Sequence, residues 1–231
     1  MQFTLDYLRK HWITLTVIFL LGWLSVFMVF QFVDISRDML ANEFDQLDQE
    51  AASLALAMRN DTFTTVMHIV TNFGNWYAFL GIFIILSIII YQQRNHLKSP
   101  LISVAIITGA SVVMYFLKEG FGRERPTLDT LVEASLSSFP SGHSMLSVVF
   151  YGFVIFYIWT VSNSRLFQIS STAFFIVLIV LICWSRIYLG AHFASDVLAG
   201  IVAGVGWLST SLLIYLIIRL TRKKEGQMVL D

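Results

Sequence analysis

Three short polar stretches interrupt an otherwise apolar chain, and their residue types suit one kind of chemistry. Lys118, Arg125 and Pro126 follow one apolar run, Pro140-Ser141-Gly142-His143 opens the next, and Ser185-Arg186, His192 and Asp196 lie between two more. Lys118, Arg125 and Arg186 bring three positive charges, and a planar guanidinium matches two oxygens of a phosphate at once. Ser141-Gly142 precedes a segment of helical character, whose first N–H groups lack intrahelical partners. Glycine lets backbone approach an anion, and serine can cap the helix or donate its hydroxyl. A dianionic phosphate suits this collection; a carboxylate would meet more positive charge than it needs.

Two imidazoles complete the set. Asp196 follows His192 by four residues, so on a helix the two share a face. A carboxylate bonded to one ring nitrogen fixes the tautomer and leaves the other nitrogen as a nucleophile. His143 can protonate a departing alcohol and later take a proton from water. These are the roles of a two-step phosphoryl transfer. Ionisable groups at the edge of a membrane are costly, which favours a functional reading of all three stretches. Arg123 and Glu124 lie inside the first stretch, where a local ion pair or loop support is expected of them rather than a direct catalytic role.

The pattern resembles the type 2 phosphatidic acid phosphatase superfamily, whose signature runs K-x6-R-P, P-S-G-H and S-R-x5-H-x3-D. Every fixed position is filled in order, as Lys118…Arg125-Pro126, Pro140-Ser141-Gly142-His143 and Ser185-Arg186…His192…Asp196. The resemblance, to the membrane branch, implies that His192 is the nucleophile forming a phosphohistidine, oriented by Asp196. It further implies that His143 is the general acid and that Lys118, Arg125, Ser141, Gly142 and Arg186 bind the phosphate, with no metal and no cofactor. The implied activity is a lipid phosphatase acting on phosphomonoesters or diphosphates such as phosphatidylglycerophosphate, undecaprenyl diphosphate or phosphatidate. Its partners are then the lipid phosphate and the bilayer, with no nucleic acid and no obligate protein partner. Transfer of the phosphate to a second lipid, a transporter using the same charges, and vanadate-dependent halide oxidation are the rival readings. Charges gathered at one end of the spans, rather than at the midplane, speak against the transporter.

Such a site needs elements to hold it. Of 231 residues, 57% are hydrophobic and 13% charged, and the formal net charge is zero; mean hydropathy is +0.74. That composition calls for a bilayer as solvent and offers no basic field for nucleic acid. The single cysteine, Cys183, reads as an apolar filler. Six charge-free windows reach spanning length: Trp12–Val33, Thr62–Gln93, Ser99–Leu117, Ser144–Ser164, Leu166–Ser185 and Val197–Ile218. The first, 22 residues long, exceeds a signal-peptide core and is read as a retained span. The second is too long for one span and should divide at Gly74-Asn75. The expectation is an all-α polytopic membrane protein with six transmembrane helices, forming one domain over residues 1–231.

Lysine and arginine placement sets the expected orientation. With a cytoplasmic N-terminus, nine of the fifteen fall inside: Arg9, Lys10, Arg94, Lys98, Arg165, Arg219, Arg222, Lys223 and Lys224. Both termini are then cytoplasmic, and the motifs of residues 118–196 face the extracytoplasmic side of the cell membrane. Trp12, Trp76, Trp159 and Trp207 fall near span ends, where an aromatic belt is expected. Residues 34–73 form the one sizeable extracytoplasmic helical segment. Within it Leu40, Phe44, Leu47, Ala51, Leu54 and Met58 recur at helical spacing, with Glu43, Asp45, Asp48 and Glu50 off the stripe. A lid resting on headgroups and a plain packing connector both fit that pattern.

Overall fold

The computed structural model describes residues 2–94, 98–126, 130–131 and 137–224, with side chains from His11 onward except at 89–90, 92–100 and 222–224. His96, the side chains of Arg94, Lys98 and Arg222–Lys224, and parts of the 118–196 motif region therefore lie outside the described set. Among the described residues there are eight helices and no strand: α1 (Gln2–Leu40), α2 (Asp45–Ala57), α3 (Asp61–Asn72), α4 (Trp76–Arg94), α5 (Lys98–Phe121), α6 (Gly142–Val161), α7 (Arg165–Tyr188) and α8 (Ala194–Lys224). Five of them, α1, α5, α6, α7 and α8, are long and apolar enough to cross a membrane; α3 and α4 together make a sixth candidate, bent by 56° at the break. That break falls at Gly74-Asn75, between Asn72 and Trp76, where the sequence reading divides the long window.

Three of the helices start where their sequences provide side-chain caps. Asn60 accepts a hydrogen bond from Phe63 N at the head of α3, Ser141 from Ser144 N at α6, and Ser164 from Phe167 N at α7. Gly122 ends α5 with φ +59° while its N–H reaches Lys118 O at 3.0 Å, a left-handed exit that glycine takes without penalty.

Helix α6 is the hub, packed against α5, α7 and α8, while α1 lies along α8. In lipid there is no hydrophobic drive between apolar helices, so small residues that permit close approach decide which faces meet. Gly200 and Gly204 do this on α8. A Cβ at Gly200 would lie 2.6 Å from Ser141 O, and one at Gly204 would lie 2.8 Å from Met145 O. The apolar core between α5, α6 and α8 holds Ile106, Ala110, Met145 and Val149; a second, around Phe79, Phe150, Tyr151 and Ile182, joins α4, α6 and α7. Large apolar side chains left on the outside, such as Phe19, Ile85, Leu166 and Phe174, suit a lipid environment.

Two details depart from the sequence expectations. Trp207 is not a belt residue: it is half-buried, covers Gly109 and donates its indole N–H to Ile106 O at 2.9 Å. The apolar stripe of residues 40–58 is interrupted after Leu40 by a turn in which Asn42 adopts φ 60°. Most of it then faces outward, with Leu40, Leu47, Leu54 and Met58 exposed, while the buried face of α2 carries Asp48 and Ala55. Packed against α7 and α8, α2 therefore turns a carboxylate toward the helices that carry the third motif.

Candidate active site

Backbone hydrogen bonds first draw the three motifs to one end of the bundle. Ser141 N donates to Asp196 O at 2.9 Å, tying the head of α6 to the head of α8, and Ser138 N donates to Arg123 O at 2.7 Å. Ser137 Oγ donates to Lys118 O at 2.7 Å, and Lys118 Nζ donates back to Ser137 O at 2.5 Å. These bonds hold the segment before α6 against the end of α5. Gly142 completes the approach: a Cβ there would lie 2.4 Å from Met114 Sδ and 3.8 Å from Lys118 Cε.

On this frame His192 is fixed from both ring nitrogens. Its Nε2 lies 3.4 Å from Arg125 Nη1, which can only donate, so Nε2 is the accepting nitrogen and the ring proton resides on Nδ1. Nδ1 faces Asp196 Oδ2 at 3.5 Å and Ser138 Oγ at 3.5 Å. His192 is buried, and burial lowers its pKa from 6.5 to about 4. The Asp196 hydrogen bond and charge oppose that shift, and Arg186 and Arg125 reinforce it. At neutral pH the ring is uncharged, with its lone pair on Nε2 turned toward Arg125.

Asp196 is fully buried and saturated with donors. Oδ2 accepts from Phe193 N at 2.9 Å and from the Ser138 hydroxyl, and Oδ1 accepts from Arg123 Nη1 at 2.6 Å. Every cation of the motifs is near. Arg125 Nη1 donates to Ala191 O at 2.7 Å, and burial lowers its pKa from the ordinary value, with Asp196 opposing. Arg186 donates Nη1 to Thr71 Oγ1 at 2.6 Å, while its buried Nε has no acceptor among the described residues. An unmet guanidinium N–H in this position is what an incoming oxyanion would satisfy. The first N–H groups of α6 likewise begin beyond the reach of its own carbonyls.

His143 stands at the α3–α4 break. Its Nε2 lies 2.9 Å from Asn75 Oδ1, an acceptor, which holds a proton on Nε2. Gly74 lets α6 come this close, since a Cβ there would lie 2.8 Å from His143 Cδ2. The charges of Arg186, Arg125 and Lys118 all act on His143. All eight residues singled out in the sequence, namely Lys118, Arg125, Ser141, Gly142, His143, Arg186, His192 and Asp196, thus occupy one region. A cavity of about 570 Å³ opens on His192 and Arg125 from the side of α2, bordered also by Gln49, Arg59, Arg123 and Phe193.

Four participants escaped the sequence reading. Asn75, Thr71 and Ser138 partner His143, Arg186 and Asp196, and Asp48 binds Arg123 and Ser195. Asn75 carried a signal, being an amide beside glycine inside an apolar window; the others look like ordinary helix or loop polar residues. Arg123 does form the expected ion pair, but one of its carboxylates is Asp196 itself.

Residues 99–221 match the model of the PAP2 superfamily, a stretch that holds all three motifs. The chain belongs to the PAP2 superfamily. Among curated PAP2 relatives, it is similar to phosphatidylglycerophosphatase B of Bacillus subtilis (strain 168), with 28% identity over 169 residues, 71% of this chain and 81% of the relative. It is also similar to YbjG of Escherichia coli (strain K12), provisionally named an undecaprenyl-diphosphatase, with 32% identity over 123 residues, 50% of this chain and 58% of the relative. Among solved structures, the transmembrane PAP2-type phosphatidylglycerolphosphate phosphatase from Bacillus subtilis superposes with TM-score 0.73 at 24% identity, covering 87% of this chain and 96% of that one. Aquifex aeolicus LpxE gives TM-score 0.59 at 22% identity, covering 72% and 94%. The architecture is that of a membrane PAP2 protein, and the apolar helices place it in a membrane.

Proposed function

We propose that this PAP2 protein hydrolyses phosphomonoesters or diphosphates carried by membrane lipids, through a phosphohistidine at His192. The observation that supports this most directly is the state of His192: buried, uncharged, with Nδ1 toward Asp196 and Nε2 open beside Arg125. In the first step Nε2 attacks phosphorus while the P–O bond to the lipid breaks. The bonding pair goes to the leaving oxygen, which takes the Nε2 proton of His143 in its imidazolium form. The ring gains its second proton as the phosphate's negative charge enters beside it, so that a neutral imidazole is left. In the second step a water gives its proton to His143 and its oxygen attacks phosphorus. The P–N bond breaks, its pair returns to His192, and inorganic phosphate leaves.

Lys118, Arg125, Arg186 and the head of α6 bind the phosphate oxygens in this scheme, and they stabilise the charge spread over them in the transition state. Among the described residues no three His, Cys, Asp or Glu side chains gather as a metal cage, and the cations take the neutralising role. Asn75 holds His143 in the free protein where the leaving oxygen sits in the complex. The cavity on the α2 side opens on His192 and Arg125, where the phosphorus would be carried. The distribution of Lys and Arg supports a cytoplasmic location for both termini and an extracytoplasmic active site. The names of the relatives make phosphatidylglycerophosphate and undecaprenyl diphosphate the substrates to try first.

The test is phosphate release in detergent from these two lipids and phosphatidate, by the parent protein and by His192→Ala. The proposal expects turnover on at least one lipid and its loss in the variant, with the melting profile retained. Equal turnover by the folded variant would remove His192 from the chemistry.

A further inference from the structure

Asp48 and Arg123 are not fixed positions of the three motifs, yet they make a dense polar network that reaches Asp196. Asp48 is buried at 6% exposure on the inner face of α2, and its carboxylate is fully engaged. Oδ1 accepts from Ser195 N at 2.9 Å, and Oδ2 accepts from Ser195 Oγ at 2.7 Å and from Arg123 Nη2 at 2.9 Å. The other arm of the same guanidinium, Nη1, donates to Asp196 Oδ1 at 2.6 Å and to Ser195 Oγ at 2.7 Å. Its plane is backed by the Phe193 ring, 4.2 Å from Cζ. Residues 193, 195 and 196, the whole turn that carries the nucleophile into α8, are thus held by one arginine and one carboxylate from α2.

Resting on the function proposed above, we propose that Asp48 and Arg123 are positioning residues for catalysis. Arg123 occupies Oδ1 of Asp196, which leaves Oδ2 as the oxygen that faces His192 Nδ1. Asp48 fixes the guanidinium in the plane that allows this and closes its second arm. Phe193 N and Ser138 hold Oδ2 alone; Arg123 on Oδ1 adds the second anchor that fixes the plane of the carboxylate and its register with the imidazole. Neither side chain is needed for phosphate affinity, because Lys118, Arg125 and Arg186 remain. Helix α2 is on this account a fixed brace of the catalytic carboxylate, and its exposed stripe is free to meet lipid.

The experiment compares Arg123→Gln, Arg123→Lys, Asp48→Asn and the double variant Asp48→Asn/Arg123→Gln in detergent, with rates referred to folded protein. His192→Ala serves as the control on the underlying reading. Arg123→Gln is expected to lower kcat roughly 10- to 100-fold, the range typical of partners that orient a reactive group from behind, while KM stays within about threefold. Arg123→Lys should recover part of that loss through its remaining charge. The double variant removes the Asp48 charge together with its arginine partner and leaves Asp196 its bonds from Ser138 and Phe193 N. It should be no slower than Arg123→Gln alone, because both changes break one linkage. The proposal is overturned if Arg123→Gln and the double variant keep kcat within twofold, if the loss falls on KM, or if it tracks only the amount of folded protein. An active His192→Ala would instead overturn the phosphohistidine reading itself.

Discussion

Replacing Asp196 by Asn tests the geometry around His192, the proposed nucleophile, with a change of one atom. Three donors converge on this carboxylate: Arg123 on Oδ1, and Phe193 N and Ser138 Oγ on Oδ2. Asparagine has one acceptor oxygen and one donating amide, so either orientation leaves a donor facing a donor. With the oxygen at Oδ2, the amide confronts Arg123 at the 2.6 Å contact. With the oxygen at Oδ1, the amide points at Phe193 N and at His192 Nδ1, which drives the ring proton to Nε2 and blocks the nitrogen proposed to attack phosphorus. The stability cost is about 1.5–3 kcal/mol, one charge-assisted hydrogen bond. The catalytic cost follows from the tautomer. The same change in a protease triad removes about 10⁴ of rate, and the 3.5 Å separation of Nδ1 and Oδ2 is a looser contact. We therefore expect kcat to fall about 10²- to 10³-fold, or about 3–4 kcal/mol in the barrier, with KM within roughly threefold. The assay is steady-state phosphate release in detergent, with thermal unfolding measured in parallel. A folded Asp196→Asn protein whose kcat lies within fivefold of the parent would refute the reasoning.

Three further outcomes follow from particular contacts. The pKa of His192 is lowered to about 4 in the folded protein from 6.5 unfolded, so kcat/KM should hold down to mildly acid pH and fall as pH drops through about 4. The unfolded chain binds more protons across that interval, so stability should decline as pH falls from about 6.5 toward 4; an acid limb centred near 6.5 in a pH–rate profile would contradict both. Arg186→Lys loses the planar fork that reaches Thr71 and leaves Nε unmet, and should raise KM about tenfold, or about 1.4 kcal/mol; an unchanged KM would place Arg186 outside the phosphate site. Gly200→Ala puts a methyl 2.6 Å from Ser141 O and 2.9 Å from Ser144 Cβ, so α8 must back away from α6. The cost is about 1–3 kcal/mol, seen as a lower melting temperature in detergent; an unaltered melting curve would show that the interface gives way freely.

Much of the candidate site is legible in the sequence because chemistry constrains residue type. Lys118, Arg125, Arg186, His143, His192 and Asp196 are ionisable groups set in an apolar chain, and each costs enough there to need a reason. The break at Gly74-Asn75 was legible too, from the length of its window. What periodicity could not give is direction. The 40–58 pattern marks a helix face, but next to lipid an apolar face is not obliged to turn inward, and Leu47 and Leu54 are exposed while Asp48 is buried. Nor does sequence report contacts between distant residues. Arg123 and Asp48 meet across 75 positions, and Asn75 meets His143 across 68. Trp207 departs from the belt for a related reason, since the gap above Gly109 that it fills exists only once α5 and α8 pack.

The central claim is a covalent bond between phosphorus and His192 during turnover. Rapid quenching of the protein with a ³²P-labelled lipid phosphate, followed by peptide mapping, measures it directly. The account predicts label that is stable in alkali, lost in acid and confined to the peptide carrying His192. Turnover that leaves no such label under conditions that trap the intermediate, or label on another residue such as Ser141, would contradict it.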